Sequence, residues 1–320
     1  MNTPIDAAEM ISGERIQQLT DVSVLTDPIL RFHKNLPRLP IRWCRFSGDM
    51  RSFAVDDAGQ IAAVASAEII FVYTHLVASF AAQILPRLDR PFILVTHNSD
   101  DAVDARFTDL LGDDRLFTWF AQNVAVDHPK LVSLPLGVAN SQWPHGRPDL
   151  INKVAVRGAP KTGFVYMNFD ARTNPKRRRP VFERLSDHPL VTVSGGLGYE
   201  DYLGELAAHH FCVCPPGNGL DCHRIWECLY LGVVPLVSAD ARLRGFDELP
   251  IVTVDDWDRL DAGFLQDAYQ ELARRRTGQA KMRLSYWQSA IDVARHRLRQ
   301  ASGRSRLPAA LAPAGGGRGR

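Results

Sequence analysis

The chain has 320 residues, enough for two domains of ordinary size, and its 45% hydrophobic and 23% charged residues are typical of a globular protein. The formal net charge is +2, but the last twenty residues hold four arginines and no acid, so residues 1–300 alone carry −2. This near-neutral body argues against general nucleic-acid binding. No run of eighteen apolar residues occurs and the N-terminus lacks the parts of a signal peptide, so we expect a cytoplasmic protein without a transmembrane segment.

The first half of the chain alternates apolar strand patterns with helical ones. The predicted elements are strands at 68–74, 91–96, 116–120 and 130–137, and a helix at 76–85 that Pro86 ends. Alternation at this spacing predicts a parallel, doubly wound sheet. The segment 134–146 reads as the exit into a linker, so we place a domain boundary near residue 150.

Polar side chains follow two neighbouring strands of this predicted sheet. His75 follows the strand at 68–74, and His97, Asp100 and Asp101 follow the strand at 91–96. The carboxyl ends of parallel strands are where α/β sheets bind their ligands. Taken singly, each residue is more simply a turn residue or a helix cap. Together they are the candidate catalytic bases, His97 first, then Asp100, with His75 and Asp101 after them.

The second half of the chain repeats the alternation. Strands are predicted at 163–168, 190–194, 211–214, 233–237 and 250–254, and helices at 181–185, 199–208 and 265–298. This pattern predicts a second α/β domain over residues 151–300.

A basic cluster precedes the helix that Pro180 is predicted to open. It comprises Arg172, Lys176, Arg177, Arg178 and Arg179. Positive charge at a helix N-terminus is repelled by the helix dipole, and a bound anion would relieve that repulsion. Arg172 and Arg177 are the predicted phosphate ligands, and a solvated basic loop is the alternative.

Residues 211–237 form the most informative segment of the chain. An apolar strand runs into a loop of prolines and glycines at 215–219, a short helix follows, and Gly232 precedes a second apolar strand. Asp221 is the expected N-cap of the helix. This order of elements presents a helix N-terminus to an anionic ligand.

The polar face of that helix suits a ligand with both phosphates and hydroxyls. His223, Arg224 and Glu227 fall within a sector of roughly 100°. A guanidinium binds phosphate oxygens, loop amides add neutral donors, and a carboxylate accepts from paired sugar hydroxyls. A solvated face with an ion pair at i, i+3 is the alternative. The predicted binding residues are Pro215, Gly217, Asn218, Gly219, Asp221, His223, Arg224 and Glu227.

The segment resembles the donor-binding motif of exostosin-like glycosyltransferases and, more broadly, of GT-B enzymes. The matching residues are Cys214, Pro215, Gly217, Arg224, Glu227, Gly232 and Pro235, with the spacing Arg-x-x-Glu. The close match covers about thirty residues, and weaker similarity runs from about residue 90 to 260. The resemblance implies two Rossmann-like, doubly wound domains with an interdomain cleft, an acceptor-side domain at 1–150, a nucleotide-sugar domain at 151–300, and inverting transfer.

The resulting functional expectation is a glycosyltransferase that moves a sugar from a nucleotide-sugar, expected to be a UDP-sugar, to a glycan, a glycolipid or another hydroxyl acceptor. We identify no Asp-x-Asp metal motif of the kind that sugar transferases use, so we expect metal-independent transfer, in which cationic side chains and amides stabilise the diphosphate. No further cofactor is expected. The alternative is a non-catalytic carbohydrate- or nucleotide-binding protein that keeps the donor domain.

The cysteines and the C-terminal tail complete the expectations. Five cysteines, an odd number, argue against a disulfide framework. Cys222 and Cys228 lie on different sides of a helix, so a zinc site is not expected and the cysteines are interpreted as small buried hydrophobes. Residues 301–320 are predicted to be a disordered basic tail, with a weak peripheral contact to anionic lipid as a minor alternative.

Overall fold

The computed structural model describes residues 3–274 and 278–303. The first half of the chain forms a seven-stranded sheet in the order β3-β2-β1-β4-β5-β6-β7. The strands are β1 (Val22–Thr26), β2 (Trp43–Gly48), β3 (Phe53–Ala54), β4 (Ile69–Tyr73), β5 (Phe92–His97), β6 (Leu116–Ala121) and β7 (Leu131–Ser133). All pairs are parallel except β2 with β3. The winding direction reverses between β1 and β4, which creates a topological switch point there.

The helices of this half cover both faces of the sheet. They are α1 (Gly13–Gln17), α2 (Asp27–Phe32), α3 (Ala58–Ser66), α4 (Val77–Gln83) and α5 (Thr108–Gly112). Every residue of β4 and β5 is buried as a result. The expected strands at 68–74, 91–96 and 116–120 and the helix at 76–85 are confirmed, whereas the sequence analysis assigned nothing to β1 or β2.

The second half forms a five-stranded, fully parallel sheet in the order β12-β11-β10-β8-β9. The strands are β8 (Gly163–Met167), β9 (Val191–Val193), β10 (His209–Val213), β11 (Val234–Ser238) and β12 (Val252–Val254). The helices of this half are α6 (Pro148–Arg157), α7 (Pro175–Leu185), α8 (Tyr199–Ala207), α9 (His223–Tyr230), α10 (Ala262–Arg274) and α11 (Leu284–Ala301). The switch point lies between β8 and β10. The predicted α/β fold with two Rossmann-like, doubly wound units is confirmed, and its assignment to the GT-B type stays a prediction.

The last helix returns to the first sheet. On α11, Trp287 and Ile291 belong to the hydrophobic cluster that also contains the strands of the first half. Arg295 pairs with Asp21 at 2.6 Å, and Arg299 pairs with Glu68 at 2.6 Å. The chain therefore crosses between the halves twice, through α6 and before α11. The boundary near residue 150 stays a prediction, and it falls inside α6.

Helix α7 begins earlier than expected. The sequence analysis placed its start at Pro180, but it runs from Pro175 to Leu185, with Pro180 inside it. Asn174 caps the helix with its side chain and Pro175 occupies the first turn, so a complete N-terminal signal lies one and a half turns upstream. This shift puts Arg178 on the buried face, in line with Val181 and Leu185.

Two further expectations concern the C-terminal region. The helix expected over 265–298 is two helices, α10 and α11. The basic tail was predicted over residues 301–320; Ala301 is instead the last residue of α11, and the tail from residue 304 onward lies outside the described residues. Within the described ranges, none of the helices combines the length and apolar character that a membrane span requires.

Candidate functional site

A cleft of about 1080 Å³ lies between the two halves, at the carboxyl ends of both sheets. Its lining contains residues 98–100 after β5, Asn168 after β8, and 217–219 after β10. The predicted residues that line it are Asp100, Gly217, Asn218, Gly219, Asp221, His223, Arg224 and Glu227. The predicted residues outside the lining are His75, His97, Asp101, Arg172, Arg177 and Pro215.

The glycine loop is held by its carbonyls. Gly217 O accepts from Asn174 Nδ2 at 2.6 Å, and Pro216 O accepts from Arg178 Nε at 2.9 Å. The amides of residues 217–219 donate to no acceptor in the described part of the chain. Gly219 also lies close to the first half, since a Cβ there would come within 2.8 Å of Asn123 Nδ2. The loop thus lines the cleft with N–H groups that have no acceptor among the described residues, while the carbonyls of Pro216 and Gly217 are bonded to α7 and its cap.

Two arginines without acidic partners meet at this loop. The central guanidinium carbons of Arg178 and Arg224 lie 5.7 and 6.0 Å from the centroid of the Phe169 ring. Neither forms an ion pair with a described residue, and Arg224 Nε is buried without a hydrogen bond. Burial lowers the pKa of Arg178, and the charge of Arg224 lowers it further. Two adjacent cations of this kind are stabilised by a bound anion.

The arginines chosen from the sequence lie elsewhere. Arg172 pairs with Asp170 at 3.0 Å, and its side chain is 89% exposed. Arg177 pairs with Asp240 at 3.1 Å. Neither residue lines the cleft, so the cation that this basic run contributes is Arg178. Helical spacing with Val181 and Leu185 was the signal that would have identified Arg178, and the misplaced start of α7 concealed it.

Glu227 is a buried carboxylate, only 4% exposed. Tyr199 Oη donates to its Oε1 at 2.8 Å, and Tyr202 Oη donates to its Oε2 at 2.7 Å. Burial and the charge of Glu227 raise the pKa of Tyr199 and that of Tyr202. The alternative of a solvated Arg–Glu pair is not what the structure contains. The sequence analysis gave neither tyrosine a role in the site, although both lie on one face of a helix that it predicted.

His223 connects the halves. Its Nδ1 lies 2.7 Å from Gly137 O, and because a carbonyl only accepts, Nδ1 carries the proton. The other ring nitrogen, Nε2, makes no hydrogen bond with the described residues, and His223 lines the cleft. Burial lowers its pKa, and the charges of Glu227 and Asp100 oppose this effect.

Asp221 has a different role from the expected N-cap. The N-cap of α9 is Cys222, and the Asp221 carboxylate instead accepts from Leu136 N at 2.8 Å and from Trp226 Nε1 at 2.9 Å. Its own N–H donates to Asn123 Oδ1 at 3.0 Å. Burial raises the pKa of Asp221 to about 7, against the effect of these hydrogen bonds. Asp221 therefore fastens the second half to the first.

Three of the four predicted bases lie outside the cleft lining, and each of the three has at least one polar atom that already contacts a partner. His97 is fully buried: its Nδ1 accepts from Asn98 N at 2.7 Å and its Nε2 donates to Pro135 O at 2.9 Å. Burial lowers the pKa of His97 to about 4. His75 Nδ1 lies 3.1 Å from Ser99 Oγ, and its Nε2 is buried without a partner among the described residues. Asp101 pairs with Arg51 at 3.0 Å.

Asp100 is the predicted base that lines the cleft. Two imidazoles that the sequence analysis missed line it as well. His33, which follows α2, is buried, and burial lowers its pKa to about 4. His145 is exposed, and its ring centroid lies 6.2 Å from those of Tyr199 and His223. No strand was predicted before His33, and His145 lies in the predicted linker, so neither carried a signal.

Three cysteines of the motif converge beneath the loop. The sulfurs of Cys212, Cys214 and Cys228 lie within 4.8 Å of one another, and all three are buried. Cys222 lies outside this group, consistent with its helical offset from Cys228. Three sulfurs are fewer than the four ligands that a structural zinc ion prefers.

Comparisons with known proteins give distant likenesses. No family model matches the sequence, and no curated protein matches it. Among solved structures, an α,α-trehalose 6-phosphate synthase from Burkholderia multivorans is 9% identical, with 88% of this chain and 99% of that chain covered and a TM-score of 0.45. The glycotransferase of kitacinnamycin is 13% identical, with 88% and 94% covered and a TM-score of 0.43. A UDP-GlcNAc 2-epimerase from Methanocaldococcus jannaschii, in complex with UDP-GlcNAc and UDP, is 9% identical, with 88% and 99% covered and a TM-score of 0.36.

Proposed function

We propose that the protein is a metal-independent, inverting glycosyltransferase that uses a nucleotide-sugar, with a UDP-sugar as the first donor to test and a glycan or glycolipid hydroxyl as acceptor. The observation that carries the proposal is the unpaired couple of Arg178 and Arg224 beside free loop amides, in a cleft between two doubly wound sheets. Such a site has the donors that a diphosphate requires.

The donor is proposed to lie along α9. The diphosphate occupies the space at Arg178, Arg224 and the amides of residues 217–219. The ribose hydroxyls reach Glu227, which lies about 4.5 Å further along the helix axis. Each oxygen of Glu227 already accepts one tyrosine hydroxyl and keeps a second lone pair for the ligand.

The reaction is a single displacement. The acceptor oxygen bonds to the anomeric carbon as the bond from that carbon to the diphosphate oxygen breaks, and the electron pair leaves with the diphosphate. Arg178, Arg224 and the loop amides stabilise the charge that develops there. Asp100 takes the proton of the acceptor hydroxyl, since it is the predicted base that lines the cleft, and its backbone oxygen lies against Gly219. Attack from the face opposite the leaving group inverts the anomeric configuration.

The test begins with thermal shifts in UDP, GDP and CMP and their sugars, because a bound nucleotide raises the melting temperature by mass action. Release of free nucleotide from the stabilising sugar nucleotide, followed by chromatography, then measures turnover. A shift with release of nucleotide is the expected result. Binding without turnover in the presence of varied sugar acceptors would favour the non-catalytic alternative, and no shift with any nucleotide would overturn the proposal.

A further inference from the structure

The wall of the cleft that belongs to the first half carries exposed aromatic rings. Phe32 is 49% exposed and Trp143 is 42% exposed, and both line the cleft. Their ring centroids lie 6.0 Å apart at an angle of 66°. Trp143 in turn stacks on His145, with centroids 6.3 Å apart and planes 18° from parallel. Neither Phe32 nor Trp143 belongs to the hydrophobic core, so packing within the chain does not account for their position.

This row of rings ends at α9, the helix along which the donor is proposed to lie. The His145 centroid lies 6.2 Å from that of His223, the first residue of α9, and 6.2 Å from that of Tyr199, which holds Glu227. A ligand that rests on Trp143 therefore extends toward the N-terminus of α9, along which the donor is proposed to lie.

A buried polar group without a partner faces the same space. Gln122 lines the cleft and is 2% exposed, yet its side-chain Oε1 makes no hydrogen bond with any described residue. A buried amide oxygen left in this state costs free energy, and a hydroxyl of a bound ligand would satisfy it. Gln122 is thus a second, independent sign of a ligand on this wall.

The charge of the wall restricts the ligand. The lining from the first half contains no lysine or arginine, and its acidic residue is Asp100. A phosphorylated or nucleic-acid ligand would find no cation there. An uncharged molecule with a flat apolar face and hydroxyls at its edge matches exposed rings flanked by amides, because the electron-rich face of an aromatic ring attracts polarised C–H bonds.

We propose that Phe32, Trp143 and Gln122 form the acceptor subsite and that the acceptor presents a pyranose ring, its C–H face stacked on Trp143 and a hydroxyl bonded to Gln122. The role as acceptor subsite rests on the proposed transferase function, whereas binding of a pyranose to this wall does not. The hydroxyl that points toward His145 and His223 is then the one nearest the donor.

The test measures sugar binding and nucleotide binding separately. Saturation-transfer NMR with methyl pyranosides and disaccharides of glucose, galactose, mannose and N-acetylglucosamine, with p-nitrophenol as an aromatic competitor, reports which probe contacts the protein. We expect at least one pyranose to bind with saturation on its ring C–H protons. Trp143→Ala and Gln122→Leu should each weaken its affinity about tenfold or more. Tyr269→Ala removes a ring that is 55% exposed and lies outside the cleft lining, so it serves as the matched control.

Calorimetry with UDP distinguishes the two proposals. Unchanged UDP affinity in Trp143→Ala, together with lost pyranose binding, supports the subsite. Equal pyranose affinity in Trp143→Ala and the unaltered protein, displacement of the sugar by p-nitrophenol at lower concentration, or no pyranose binding at all would overturn it. A protein that binds pyranoses at Trp143 but no nucleotide would contradict the transferase and leave the sugar site standing.

Discussion

The guanidinium groups of Arg178 and Arg224 share one aromatic neighbour, the ring of Phe169, although they come from two different helices. Arg178 is also fixed by hydrogen bonds to the carbonyls of Pro216 and Asp170, at 2.9 and 3.1 Å. Arg224 has no such hydrogen bond within the described part of the chain, and its Nε is buried there without a partner. Arg178 thus shapes the loop and also contributes its positive charge to the site, while Arg224 keeps its guanidinium donors for a ligand.

We first predict that Arg224→Met weakens UDP binding. Methionine keeps an apolar stem against Phe169 but removes the charge. Loss of a charge-assisted hydrogen bond costs about 1.5–3 kcal/mol, so the dissociation constant should rise roughly ten- to hundredfold in calorimetry. Arg172→Met, at the exposed arginine paired with Asp170, is the control and should bind UDP normally. Equal effects in the two variants would mean that the affinity reflects overall charge alone.

Glu227→Gln should separate recognition of the ribose from recognition of the phosphates. The substitution preserves the side-chain volume at a buried site but removes the negative charge of the group that accepts hydrogen bonds from Tyr199 and Tyr202. We expect UDP affinity to fall about tenfold and pyrophosphate affinity to stay unchanged. Calorimetry with both ligands measures this difference. An equal loss of pyrophosphate affinity would mean that Glu227 maintains the structure of the whole site and does not bind the ribose specifically.

Asp100→Asn tests the base. We expect kcat to fall about a hundredfold or more with UDP affinity retained, because the amide cannot accept the proton. Asp101→Asn, beside it but paired with Arg51, should keep kcat within a few-fold. His97→Gln should lower the melting temperature instead, since His97 is buried with both nitrogens bonded. Normal turnover in Asp100→Asn would remove Asp100 from the role.

Activity should survive EDTA. Asp221 and Glu227 both line the cleft, but their carboxylates already accept hydrogen bonds from protein donors. Within residues 3–274 and 278–303, the one converging group of three potential ligands is the cysteine cluster, none of which lines the cleft. Turnover measured in 5–10 mM chelator, roughly the usual assay range, should equal that in Mg²⁺, because the arginines supply the charge. Rescue of an EDTA-inactivated enzyme by Mn²⁺ would contradict this.

The dependence of stability on pH should change in Asp221→Asn. The pKa of Asp221 rises from 3.8 to about 7 on burial, so the folded state binds the proton more tightly and the free energy of unfolding falls as pH rises between these values. His97 and His33 act oppositely, because their lowered pKa values of about 4 cause stability to be lost as pH falls from 6.5. For Asp221, a difference of about three pKa units corresponds to roughly 4 kcal/mol in the free energy of unfolding.

Removing Asp221 should therefore make the loss of stability on acidification steeper. Urea unfolding at two pH values that span most of this range, about 4.5 and 7.5, measures it. Any constant cost of the amide beside Trp226 cancels in the difference between the two. Asp89→Asn, at a carboxylate that is 84% exposed, serves as the reference and should follow the unaltered protein. Parallel pH curves for Asp221→Asn and Asp89→Asn would show that Asp221 does not titrate in this range.

Local sequence patterns were sufficient for most of the sheet architecture and for α9. Buried apolar runs identified β4 and β5, and the Pro/Gly loop with the polar face of α9 identified Arg224 and Glu227. These features depend on side-chain period and turn chemistry, which act over a few residues along the chain. One local signal was misinterpreted. The start of α7 was assigned to Pro180 and not to the N-cap at Asn174, and the buried position of Arg178 was therefore not predicted.

The remaining features depend on contacts between distant segments, and only the tertiary structure decided them. Asp221 links the two halves because the N–H of Leu136, 85 residues away, donates to its carboxylate. His97 lost access to the cleft because Pro135 covers its Nε2. Trp143 and Phe32 meet across more than a hundred residues to form one wall. A strand end reveals that a side chain lies near the cleft, but its neighbours, which arrive from elsewhere in the chain, determine whether its polar atoms stay free.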